Sequence, residues 1–324
     1  MLYPLTFHPI FQERIWGGRK LESLYGKKLP AGKVIGESWE ISDRADANSV
    51  VSNGPLAGRS LADLMASNRE AIMGRARSPE GRFPLLIKLL DAQDNLSLQV
   101  HPPQHLASEL GGCAKTEMWY VSAAEPGALL YAGLRPGVTR EQFADKTRDG
   151  TVAECFHQLP VREGDSLFLP SGRVHALGKG LVIFEIQQNS DTTYRVFDWN
   201  RVDASGKPRQ LHVEESLKCI DFDDFEPSLT NGEVKRLNDR VSARPLARHA
   251  LFGVDVLDIA AKGDLREQIT EPRVIGVVSG SIEIPHATQP VTLSSGQFAL
   301  IPAALGELHL RAKSDAKVLV AAPG

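Results

Sequence analysis

The chain has 324 residues, enough for about two domains, and its 42% hydrophobic and 24% charged residues are those of a soluble globular protein. A formal net charge of −3 gives no electrostatic case for nucleic acid or a membrane surface, so an anionic substrate has to be caught by local lysines and arginines. Three scattered cysteines without a CxxC pair, a start lacking a basic-then-apolar leader, and no run near about 20 apolar residues point to a cytoplasmic protein without disulfides.

Abundant Gly (28) and Pro (20) favour many short strands over long helices. Residues 1–60 alternate short apolar pieces with turns: 11–18 is one such piece, 21–25 a short helix and 37–42 a strand. Ser60 caps a helix that runs through Met73, with Asp63 completing a capping box. Residues 84–101 read as strands, 104–110 as a short helix stopped by Gly111-Gly112, and 117–122 and 128–132 as strands. Thr139 and Gln142 open a helical insertion expected to last to about residue 158, which places His157, like His105, on an exposed helical piece. Residues 161–186 return to strands, and 207–220 are a polar loop followed by a short helix over 213–219. Residues 222–248 read as a linker with edge segments, and strands follow at 252–259, 273–279, 281–284, 291–293, 298–301 and 317–321.

Chemistry concentrates in three places. In Ser97-Leu98-Gln99-Val100-His101-Pro102 alternation puts Gln99 and His101 on one face and Leu98 and Val100 on the other, and a buried polar pair there is costly unless satisfied. By themselves they also suit a core histidine bonded to backbone beside a solvated glutamine. Lys115-Thr116-Glu117 again places two polar residues on one face of a strand, and the turn after Gly164-x5-Pro170 ends on His175. Gln99, His101, Glu117 and His175 form an N/O set suited to a divalent cation, and imidazoles with one carboxylate suit zinc.

Gly164-x5-Pro170 recurs as Gly296-x5-Pro302, each spanning an apolar strand, which suggests two copies of one small β-barrel. The second copy has no partners for Gln99, His101 or Glu117 near Val274, so it reads as metal-free, with His286 and His309 as ordinary surface or loop residues.

Gly164-x5-Pro170-x-Gly172-x2-His175 resembles the second motif of cupins, and Gln99-x-His101 stands where the first would have His-x-His. Together with Lys115-Thr116-Glu117-Met118, His175-Ala176 and Glu185…Ser190-Asp191-x3-Arg195, the chain resembles type I phosphomannose isomerase in its short bacterial form. The resemblance implies a mainly β protein of two tandem cupin (jelly-roll) barrels: a catalytic barrel over 1–221 with the insertion at 139–158, a linker over 222–248, and a metal-free barrel over 249–324. It implies one Zn2+ per chain on Gln99, His101, Glu117 and His175, and reversible conversion of mannose 6-phosphate to fructose 6-phosphate through a cis-enediolate. Arg195 falls on the family's catalytic arginine, Lys115 and Glu185 on its acid/base candidates, and Ser97 on a serine near the phosphate. A lysine of the long enzymes is replaced by Arg201, the candidate phosphate contact. The partner is a small sugar phosphate, and the chain is expected as a monomer or weak homo-oligomer. An iron cupin oxygenase and a non-catalytic sugar-binding cupin are the rival readings. Gln99 in a histidine's place and the Lys115/Arg195 pair speak against the first; charged residues at Lys115, Glu185 and Arg195 speak against the second.

Overall fold

The computed structural model describes residues 2–202 and 206–324, which form two successive units of antiparallel strands. The first comprises β1 (Ile10–Gly18), α1 (Lys20–Tyr25), β2 (Ile35–Ile41), α2 (Leu61–Met73), β3 (Leu85–Ala92), β4 (Leu98–Val100), α3 (Gln104–Ala107) and β5 (Glu117–Ala124). It continues with β6 (Leu129–Leu134), α4 (Arg140–Arg148), β7 (Phe156–Pro160), β8 (Ser166–Leu169), β9 (His175–Leu177), β10 (Leu181–Gln188), β11 (Tyr194–Phe197) and α5 (Val213–Cys219). Its sheets run β1-β2-β3-β10-β5-β8 and β11-β4-β9-β6-β7. The second unit comprises β12 (Lys235–Asn238), β13 (Val241–Arg248), β14 (Phe252–Ile259), β15 (Asp264–Gln268), β16 (Arg273–Ser279), β17 (Ser281–Ile284), β18 (Val291–Ser294), β19 (Phe298–Ile301), β20 (Glu307–Ala312) and β21 (Ala316–Pro323). Its sheets run β12-β13-β14-β21-β16-β19 and β15-β20-β17-β18. The six-stranded sheets share one order, so the Gly-x5-Pro echo marks a repeat of topology. Gly164 (φ 90°) and Gly296 (φ 73°) each turn the chain into the last strand of that order, a backbone state that disfavours L side chains.

Four expectations need correction. The stretch 235–248 is two strands of the second sheet rather than linker. Pro245 hides β13 in the sequence, and it sits at a register shift where a missing N–H is tolerated. Strands β15 and β20 escape a hydrophobic reading; Leu265 is the one buried residue of β15, which is therefore too polar to show a periodic signal. The insertion ends as a strand: α4 stops at Arg148, and His157 lies on β7. Ser60 accepts from the Asp63 amide at 3.0 Å without the reciprocal arm, whereas Thr139 and Gln142 form both arms of a capping box.

The units are joined through a shared apolar core. Leu5 bridges to Leu300 on β19, and Tyr3, Leu64, Ile72 and Phe184 belong to one buried cluster with Val254, Phe298 and Leu319. Inside the second unit Ile275, Val277, Ile282, Leu293, Ile301, Leu308 and Leu310 fill the space between the sheets. The first interior is apolar only in part, through Trp16, Leu90, Val121, Leu130, Leu167 and Ile183. Polar side chains occupy the rest of it.

Candidate active site

Two transverse rows of side chains build the site. Across the six-stranded sheet, Trp39 on β2 pairs with Lys88 on β3, Lys88 with Glu185 on β10, and Glu185 with Trp119 on β5. Directly paired residues project to the same face. Across the other sheet, Arg195 on β11 pairs with Gln99 on β4, Gln99 with His175 on β9, and His175 with Ala132 on β6. The rows meet where the Trp119 and His175 rings stand edge to face, with centroids 5.3 Å apart. Glu117, two residues along β5 from Trp119, lies on the same face and points at the second row.

His101, Glu117 and His175 are all buried, and their donor atoms lie within 4.8 Å of one another. The backbone fixes both ring tautomers. Nδ1 of His101 stands 2.8 Å from the Thr192 carbonyl and Nδ1 of His175 2.9 Å from that of Arg173. A carbonyl only accepts, so each Nδ1 carries the proton and each Nε2 offers a lone pair to the centre. Burial, reinforced by Lys115, pushes the His101 imidazole down to about 3, which keeps it neutral. Burial also pushes the Glu117 carboxyl up, but the Lys115 ammonium outweighs it and holds Glu117 well below the usual carboxylate range. Nε2 of His175 is 3.2 Å, and that of His101 3.5 Å, from a Glu117 oxygen.

This donor set fits a divalent cation. His101 Nε2 and both Glu117 oxygens are buried without a hydrogen-bond partner, a costly arrangement unless a positive charge meets them. Lys115 Nζ stands 2.8 Å from one Glu117 oxygen as an ion pair, too oblique for a hydrogen bond. The Gln99 amide nitrogen lies 3.4 Å from His175 Nε2, and a half-turn of the amide would bring its oxygen to the cluster.

Beside the cluster opens a cavity of about 350 Å³, lined by Ser97, Gln99, Lys115, Glu185 and Arg195. Ser97 Oγ lies 3.3 Å from Arg195 Nε and 3.5 Å from Gln99 Oε1, so it links the arginine to the metal end. Glu185 accepts from Trp119 Nε1 at 2.8 Å and lies 3.3 Å from Lys88 Nζ. Burial raises the Glu185 carboxyl above its ordinary range despite Lys115, with the Glu117 charge pushing the same way. A carboxyl so poised exchanges protons more readily near neutrality than an ordinary one.

Arg201 is not in these walls. Its guanidinium is taken by Asp198 at 2.6 Å, the Asn95 carbonyl at 2.6 Å and Asp94 at 3.1 Å, so the proposed phosphate contact is a clamp between two loops. The wall carries instead Arg14, Glu37, Lys88, Asp191, Arg209 and His212, of which the sequence motifs name only Asp191, without a role. Lys88 had a signal, as the one charge in the run Leu85-Leu86-Ile87-Lys88-Leu89-Leu90. Burial works against its charge, but Glu37, Glu185 and Asp191, at 3.4, 3.3 and 3.7 Å, hold it protonated above the usual lysine range. Lys88 and Arg14 in turn overcome burial at Glu37 and hold that carboxyl at about 2.

In the second unit Arg273 pairs with Ile301 as Glu117 pairs with Leu169, each beside its Gly-x5-Pro proline. A guanidinium bound to Glu267 and Glu271, both at 2.9 Å, thus stands where the first unit presents its central carboxylate. His309, expected at the surface, is buried on β20 against Asp264 at 2.9 Å, because the polar strand β15 supplies a carboxylate partner; His286 lies in a loop.

Residues 5–132 match the model of the phosphomannose isomerase type I catalytic domain. The chain is 36% identical over 314 residues to the probable mannose-6-phosphate isomerase GmuF of Bacillus subtilis, covering 96% of each chain. It is 41% identical over 304 residues to the mannose-6-phosphate isomerase of Streptococcus mutans, covering 93% of each. The crystal structure of the mannose 6-phosphate isomerase from Bacillus subtilis superposes with a TM-score of 0.89 at 28% identity, covering 99% of both chains.

Proposed function

The chain belongs to the type I phosphomannose isomerases, and from that premise we propose that it interconverts mannose 6-phosphate and fructose 6-phosphate with a zinc ion held by Gln99, His101, Glu117 and His175. The observation that carries the zinc assignment is the convergence of two imidazole Nε2 atoms on a buried carboxylate whose oxygens lack hydrogen-bond partners, at the edge of a cationic cavity. Two nitrogen donors, an amide and one carboxylate suit zinc better than magnesium or calcium. The oxygenase and sugar-binding readings gain nothing comparable, and the relatives carry the isomerase name.

The reaction moves a proton between adjacent carbons of an open-chain sugar phosphate. When bound, zinc would supply Lewis acidity toward the substrate's carbonyl and hydroxyl oxygens. The remaining roles belong to side chains. Glu185 and Lys115 both line the cavity and form the acid/base pair. Trp119 holds one Glu185 oxygen, and the other, buried 3.3 Å from Lys88 Nζ and free of hydrogen bonds, is assigned the proton transfer. Lys115, 5% exposed and ion-paired to Glu117, reaches the same space from the segment that leads into β5. Arg195 presents a permanent charge to the oxygens on which the enediolate charge develops. Buried Leu90 and Trp119 close the walls and limit water around the reacting carbons.

The direct test is a coupled assay of mannose 6-phosphate conversion before and after chelation. Turnover that stops on chelation and returns with zinc supports the proposal; turnover untouched by a chelator that empties the protein of metal refutes the zinc role. Gln99→Glu adds a negative donor and should hold metal at least as tightly while turning over more slowly, because a neutralised centre pulls less on the substrate oxygens. Metal content together with kcat checks this, and an unchanged kcat would show that net charge at the centre does not govern the rate.

A further inference from the structure

The sugar's phosphate needs a cation that the rest of the cavity does not already occupy, and the charges of the wall can be followed one by one. Five cations line the cavity: Arg14, Lys88, Lys115, Arg195 and Arg209. Arg14 is held by Glu37 at 2.8 Å, Lys88 by three carboxylates and Lys115 by Glu117 at 2.8 Å. Two guanidiniums remain. Arg195 forms no ion pair among the described residues; its Nε lies against Ser97 at the metal end and its Nη1 against the Gln210 carbonyl at 2.9 Å. Among the described residues Arg209 has one ion pair, a loose contact of 3.4 Å with an Asp198 oxygen that Arg201 already holds at 2.6 Å. Arg209 can therefore leave Asp198 without stranding that buried carboxylate, since Arg201 stays behind.

Arg195 and Arg209 also stand close enough to disfavour each other's charge. After burial, Arg209 is the largest charge effect lowering Arg195 to about 10, and Arg14 and Arg201 push Arg209 the same way against the pull of Asp198. A cluster of like charges with this few carboxylates is relieved by an incoming anion, and a planar guanidinium matches phosphate oxygens with paired N–H donors.

We propose that Arg209, on the loop after β11, binds the phosphate group of the sugar phosphate, while Arg195 faces the reacting carbons. The proposal rests on the isomerase reading and adds to it the residue that takes the phosphate.

The test uses the zinc-loaded enzyme, mannose 6-phosphate as substrate and inorganic phosphate as competitive inhibitor. Arg209→Ala should raise KM at least tenfold and weaken phosphate inhibition by a similar factor, with kcat falling much less; Arg209→Lys should recover part of the loss. Inorganic phosphate should also raise the melting temperature of the wild type and not that of Arg209→Ala, a readout that needs no turnover. Wild-type KM and phosphate inhibition in Arg209→Ala, or a loss confined to kcat, would overturn the assignment. A wild-type chain inactive on mannose 6-phosphate would remove the isomerase reading, while an Arg209-dependent melting shift would still report a phosphate site there.

Discussion

His175→Ala is expected to abolish measurable isomerase turnover and to strip the protein of its metal. The imidazole is locked by the Arg173 carbonyl on one side and meets Glu117 at 3.2 Å on the other, so no neighbour can take its place. Gln99, paired with His175 across β4 and β9, would lose the ring nitrogen 3.4 Å from its amide. The truncated side chain leaves a cavity beside the buried Glu117, so some loss of stability accompanies the loss of metal. Elemental analysis and the coupled assay read the result, with a melting curve to show that the variant folds. A folded His175→Ala with full metal content and normal turnover would remove His175 from the ligand set.

What the sequence could reveal followed from local pattern. Gln99 and His101 are legible because two-residue alternation throws them to one face of β4 between Leu98 and Val100, both fully buried. Glu117 and His175 are legible because each sits at the start of a strand defined by a turn or a proline beside it. The wall opposite was harder. Lys88, Glu37 and Glu185 come from separate strands; the pairing of β3 with β10 sets Lys88 opposite Glu185, and that of β2 with β3 brings Glu37 within 3.4 Å of Lys88. Spacing along the chain carries no trace of that row. Arg201 and Arg209 show the limit most plainly: both are arginines of one polar loop, and what separates them is which finds Asp198 and Asp94 first. The fold itself was readable wherever a strand has an apolar face, as over Phe252–Ile259, and unreadable where an edge strand such as β15 buries one residue.

The wall also explains how so many charges share one interior. Lys88 serves Glu37, Glu185 and Asp191 together and lies over the Trp39 ring, 4.9 Å from its centroid. A lone buried lysine would lose its proton; with three carboxylates around it the charged state is the stable one. Because Lys88 stays charged, Glu185 feels an attraction that partly offsets its burial, and its proton affinity is set by the balance of Lys115 and Lys88 against Glu117. The acid/base carboxyl is tuned by residues of its own sheet, on β3 and β5, and by Lys115 just before β5.

Arg195→Ala is expected to lower kcat by about a hundred- to thousandfold, or about 2.7–4 kcal/mol, the loss seen when one donor to a developing oxyanion is removed. Arg195 is placed for that role by its pairing with Gln99 across β11 and β4, and by the Ser97 hydroxyl that ties its Nε to the metal end. Its guanidinium forms no ion pair among the described residues, so the charge is available to the substrate. Metal content should be unchanged, because the guanidinium lies outside the cluster of His101, Glu117 and His175. Arg195→Lys restores the charge without the planar fork and should recover only part of the rate. The pattern separates the two free arginines: truncating Arg195 shows in kcat, truncating Arg209 in KM. If Arg195→Ala raised KM and left kcat intact, the residue would bind ground state and transition state alike. Stabilisation of the enediolate would then fall to Lys115 and the metal, and the charge of Arg195 would serve to draw the anionic sugar into the cavity.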